Sequence, residues 1–112
     1  MSDRISLTIP ARAQYTGVAT LVLGGIGSRL DLPYERMDDL QLAVLSVLES
    51  GAEQEITVEV EAVAGQLRVS LGPLAEGSGS SQGLGRVLDP LVDSFESVQR
   101  DGREWLELEL SC

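Results

Sequence analysis

The run MDDLQLAVLSVLES, Met37 to Ser50, closed by Gly51, constrains this chain more than any other stretch. Met37, Leu40, Val44, Val47 and Leu48 recur at the i, i+3, i+7 spacing that puts side chains on one side of a helix. Asp39, Ser46 and Ser50 fall on the opposite side, with Ala43 at the border. A helix with two such faces can anchor a core with one and line a site with the other. The alternative for Ser46 and Ser50 is a plain solvated face.

The chain around it has 112 residues, enough for one domain, 1–112, with a real core and too few for two. Hydrophobic residues make up 43 %, which argues against disorder, and only four residues are aromatic, so the core must be built from Leu, Val and Ile. No apolar run reaches the length of about 18 residues that a membrane span needs, and the first residues are too polar for a secretory signal. The one cysteine, Cys112, has no partner within the chain. A reducing, cytoplasmic setting follows. Eight basic residues stand against eighteen acidic ones, a net charge of −10. That argues against direct nucleic-acid binding, which needs cations to displace phosphate counterions, and suits a basic protein partner. With no histidine in the chain, histidine-based acid–base chemistry and most zinc or copper sites are excluded. No catalytic residue and no metal ligand is assigned.

Ile5, Leu7 and Ile9 alternate with Ser6 and Thr8 as a half-buried strand that Pro10 ends. Ala11 to Leu30 reads as a long helix with two apolar rows: Val18, Leu21, Val22 and Gly25 on one, Leu23, Ile26 and Leu30 on the other. Gly17, Gly24, Gly25 and Gly27 each cost a helix about 1 kcal/mol relative to alanine, so they point to close approach of another backbone, within the fold or across a homodimer, or else to a frayed helix end. Asp31-Leu32-Pro33 breaks the chain and starts the second helix, with Asp31 or a neighbour as its cap. Glu55 to Ala64 and Leu67 to Leu71 read as strands joined by a tight turn at Gly65-Gln66. Pro73 to Gly83 reads as a flexible serine- and glycine-rich stretch. An amphipathic helix on Val87, Leu88, Leu91, Val92 and Phe95 follows, with Pro90 near its start or kinking it. Two strands, Ser97 to Gln99 and Trp105 to Leu110, flank the hairpin signature Asp101-Gly102.

The order is β-α-α-β-β-α-β-β. It predicts an α+β, two-layer sandwich, a mainly antiparallel sheet with helices on one face and the other face open to water, where Glu59, Glu61, Glu107 and Glu109 would sit.

The segment LVLGGIGSRLDLPYERMDDLQLAV, Leu21 to Val44, resembles the anti-sigma-factor serine kinases of the histidine-kinase-like (GHKL) ATPase superfamily. Ile9-Pro10-Ala11 and the Tyr15-x-Gly17 spacing look like that family's N-terminal part, Gly83-Leu84-Gly85 with RVLDPLVDSFESV like its Gly-Leu-Gly motif and following helix, and the Asp101-Gly102 hairpin like its end. The resemblance implies the histidine-kinase-like ATPase fold, a nucleotide site, and a sigma factor or anti-sigma-factor antagonist as partner. Its nucleotide-site positions fall on Ser46, Ser50, Gly72, Gly83 and Gly85.

The departures are specific. Where the family carries a glutamate base and, four residues later, an asparagine that holds magnesium, this chain has Ser46 and Ser50. A neutral hydroxyl does neither task well near pH 7. Glu49 lies about 100° around the wheel from Ser50 and cannot substitute without rotating the helix. The family's Asp-x-Gly-x-Gly, whose aspartate reads adenine, is approximated by Leu71-Gly72-Pro73-Leu74. Gly77-Ser78-Gly79 and Gly83-Leu84-Gly85 keep a glycine-rich turn of the kind that cradles phosphate. The sequence thus reads as a degenerate member: a regulator acting by protein contacts with no cofactor expected, the alternative being an ATP-binding serine kinase holding ATP or ADP with magnesium.

Overall fold

The structure is a computed structural model that describes residues 4–10, 12–29, 31–63, 65–78 and 81–111. Ala11, Leu30, Ala64, Gly79 and Cys112, named in the expectations above, lie outside the described residues, as does the side chain of Ser50. In chain order the elements are β1 (Arg4–Pro10), a 3-10 turn (Ala13–Tyr15), α1 (Thr16–Arg29), α2 (Tyr34–Gly51), β2 (Ala52–Val63), β3 (Gln66–Leu74), α3 (Gln82–Leu88), β4 (Ser94–Arg100) and β5 (Arg103–Ser111). The five strands form one antiparallel sheet in the order β1-β2-β3-β5-β4. This is the α+β sandwich that the element order predicts, and it is compatible with the histidine-kinase-like arrangement.

Strand register explains the core. Leu7 lies opposite Val58, Val58 opposite Leu71, and Leu71 opposite Leu106, so one apolar row crosses four strands. A second row runs Ile5, Val60, Val69, Leu108, Phe95. A slip of one residue in any strand would turn its whole apolar set to water, which is why such a sheet has one register. Onto these rows α2 lays Leu40, Ala43, Val44 and Val47, each with no exposed surface. Leu48, expected in the same stripe, is only partly buried, and Ala43, expected at its border, is at its centre.

On α1 the fold separates the two apolar rows. Ala19, Leu23 and Ile26 are buried, while Val18 is 42 % and Leu21 78 % exposed. The row with Leu23 and Ile26 is therefore spent on the core and is not the outward surface. The side of α1 next to α2 explains one of its glycines: a β-carbon at Gly27 would collide with Met37, whereas one at Gly24 would make ordinary contact with Gln41, whose amide donates to the Thr20 carbonyl at 3.2 Å.

Three further boundaries differ from expectation. Asp31 has φ 54, and Leu32 N–H donates to the Gly27 carbonyl at 2.9 Å, so Asp31 belongs to the left-handed close of α1. The first turn of α2 is accepted by the Pro33 carbonyl, from Met37 N–H at 3.0 Å. Strand β3 continues through Pro73 to Leu74, which is 2 % exposed, so the glycine-rich stretch begins only after it. Helix α3 ends at Leu88, two residues before Pro90, and Phe95 belongs to β4. Proline offers no N–H to continue the helix, and the chain turns instead on bonds from Leu91 and Val92 to the Leu88 carbonyl. Asp101 (φ 52) and Gly102 (φ 76) make the expected hairpin turn, with both central residues left-handed.

Candidate functional site

Helix α2 fixes Ser46 by burying its neighbours Val44 and Val47. The Ser46 hydroxyl donates to the Leu42 carbonyl at 2.8 Å, one turn back along its own helix. This is the back-bond to the i−4 carbonyl that serine makes within helices. Leu42 beside it is 53 % exposed. The backbone of Ser50 is in the last turn of the same helix.

Gly83 and Gly85 lie in α3, which packs against α2. Ser81 caps this helix: in extended geometry (φ −67, ψ 137), it accepts from Leu84 N–H through its side chain at 3.1 Å. Leu84 and Leu88 are buried, holding α3 to the layer. Gly83 is exposed, whereas Gly85 faces Phe95, which a β-carbon there would meet at 3.6 Å. Helix packing thus brings the segment with Ser46 and the segment with Gly83 and Gly85 onto one layer.

Gly72 stands apart from them. A β-carbon on it would lie 2.5 Å from the Trp105 ring, and Trp105 alternates with the buried Leu106, so this contact is on the open side of the sheet. Leu71, at the position where the resemblance implies an adenine-reading aspartate, has no exposed surface and sits in the core row between Val58 and Leu106.

A network of polar groups lies on that open face. Arg100 reaches from the end of β4 across β5 and β3. It donates to Glu59 at 2.9 Å and to the buried Ser70 hydroxyl at 3.2 Å, lies 3.5 Å from Glu107, and stacks 4.5 Å from the Trp105 ring centre. Arg4 meets Glu59 from the other side at 2.7 Å, and Arg68 pairs with Glu109 at 3.7 Å. Burial by itself raises the Glu59 pKa, but the hydrogen bonds from Arg100 and Arg4 outweigh it and hold the carboxyl below its ordinary value. Sequence reasoning put four glutamates here and missed the arginines that pair with three of them, Glu59, Glu107 and Glu109. The signal was present in the period-2 pattern: Ser94, Glu96, Val98 and Arg100 share a face once β4 is taken back to Ser94.

The position of a carboxylate base holds a hydroxyl turned onto its own helix, and the position of the adenine reader holds a buried leucine. Among the described residues no group of three or more Cys, Asp or Glu is placed to hold a metal ion. None of their helices is long and apolar enough to cross a membrane.

No family model matches the chain. It is 34 % identical over 77 residues to the serine-protein kinase RsbW of Listeria innocua, a match covering 62 % of this chain and 49 % of that protein. It is 43 % identical over 42 residues to RsbW of Oceanobacillus iheyensis, covering 38 % of this chain and 27 % of that one. For Bacillus subtilis RsbW the figures are 37 % over 43 residues, 38 % and 27 %. The chain therefore spans about half the length, or less, of the curated relatives it matches. Over these partial spans the chain is similar to proteins named serine-protein kinase RsbW.

Proposed function

We propose that this chain is a regulatory module of the anti-sigma-factor type that works by binding a protein partner and does not transfer phosphate. The observation that carries the reading is the Ser46 hydroxyl, bonded to the Leu42 carbonyl where the related kinases carry their base. Phosphoryl transfer depends on magnesium neutralising the phosphates and on a positioned base or water. Ser46, Ser50 and Leu71 offer neither a carboxylate nor an amide oxygen. The proposed partner is a sigma factor or an antagonist of one, in the cytoplasm. Exposed apolar side chains on the helical layer, Val18 and Leu21 on α1 and Leu42 on α2, are the proposed contact surface.

A second reading, an ATP-dependent serine kinase, draws on the relatives' shared name. Calorimetric titration of the full chain with ATP, with and without magnesium, separates the two. The proposed function expects no saturable binding up to about 1 mM, the weak end of specific affinities. It also expects co-elution with a sigma factor or antagonist in the absence of nucleotide. Micromolar, magnesium-dependent ATP binding would favour the kinase.

A further inference from the structure

The strand order leaves two edges, β1 and β4. Strand β4 pairs with β5 alone among the described residues, and Ser94, Glu96, Ser97 and Gln99 along it are exposed. Every second backbone N–H and C=O of an edge strand points outward with no ladder partner, which is a template for one more strand. We infer that the outer edge of β4 receives an extended, basic segment of a protein partner by strand addition.

Charge decides the occupant. On the open face, Glu96 stands directly opposite Glu107, and Ser94 opposite Glu109. These four and Phe95 line a groove of about 190 Å³. Glu107 and Glu109 each have a cation, Arg100 at 3.5 Å and Arg68 at 3.7 Å. Arg100 is already divided among Glu59, Ser70 and the Trp105 ring. Glu96 has no ion-pair partner among the described residues, and it faces a like charge across the ladder, an arrangement that destabilises a strand pair.

An added strand lies about 4.8 Å further out, so its side chains on the open face fall beside Glu96. Lysine or arginine there neutralises Glu96, and an acidic strand is repelled. A second copy of β4 paired antiparallel about its central Ser97 would set each Glu96 opposite Val98 and diagonal to the other Glu96, with no cation to neutralise either, which favours a different, basic chain. Alternation in the partner follows from strand geometry: basic residues on the open face, uncharged ones on the face shared with Phe95.

The test uses the full chain and a capped peptide, Thr-Lys-Val-Lys-Val-Lys-Thr, with a second peptide carrying Glu at the three Lys positions. Amide NMR shifts and hydrogen exchange are read up to about 1 mM peptide. The expected result is shifts and slowed exchange concentrated in residues 94–100 for the basic peptide alone. Affinity should fall about two- to fivefold in Glu96→Gln, the loss of one exposed charge pair. The inference is overturned if perturbation centres elsewhere, if Glu96→Gln binds equally well, or if the acidic peptide binds too. It is equally overturned if neither peptide binds, and Glu96 is then a guard that keeps β4 from pairing.

Discussion

Gly72 and Glu59 show how single residues set this sheet. The family resemblance implies a nucleotide-site place for Gly72, and the structure supplies a packing reason for a glycine there: the Trp105 ring occupies the space of a β-carbon. Gly72→Ala should destabilise the fold by about 1–3 kcal/mol, the cost of overpacking, with a lower urea midpoint and altered fluorescence of the one tryptophan. A neutral effect would mean that the ring moves aside freely. Glu59 yields a pH prediction. Its pKa is lowered in the fold, so the stability it contributes is fully present above the unfolded carboxylate value and is lost as pH falls through the lower, folded value. Glu59→Gln should flatten that acid-side loss in urea titrations at successive pH values. An unchanged slope would assign it to Asp93, whose pKa is lowered by the Ser111 backbone N–H and hydroxyl, with Arg36 helping. Neither role was legible in the sequence, because each depends on which strand lies alongside, and pairing is a long-range fact.

Elements were far more legible, and the reason is periodicity. The α2 stripe, the alternation in β2, β3 and β5, and the Asp-Gly hairpin are local patterns that each permit one structure. The errors fell where local pattern is silent. Helix α1 is apolar on both sides, so its sequence could not say which row faces the sheet, and register with Met37 and Gln41 decided it. The run through Pro90 kept an apolar rhythm across a helix end, a turn and a strand start. Core truncations test the α2 assignment. Leu40→Ala should cost about 2–5 kcal/mol, because Leu40 has no exposed surface, and Leu48→Ala clearly less. Equal losses in denaturant unfolding would show that burial does not rank these positions.

At the scale of the molecule, the helical layer offers apolar contacts and the open face offers paired charge. Leu21, Val18 and the exposed side of α1 at Gly17 and Gly25, where a β-carbon would meet nothing within 4 Å, form a surface on which a second copy can approach closely. We propose that α1 contributes to a homodimer. Light scattering at tens of micromolar, the range of modest interfaces, should give twice the chain mass, and Leu21→Glu should return it to the monomer. A monomer in the wild type would remove α1 from the dimer proposal. The candidate site was legible from sequence as a set of departures, Ser46, Ser50 and Leu71. The direction of the Ser46 hydroxyl and the burial of Leu71 needed the fold. The central claim, partner binding without phosphoryl transfer, is tested most directly by incubating the chain with labelled ATP, magnesium, and a sigma factor and its antagonist. The account expects no label on either partner beyond that seen with Ser46→Ala. Partner phosphorylation above that control would contradict it and make the α2–α3 layer a working, divergent kinase site.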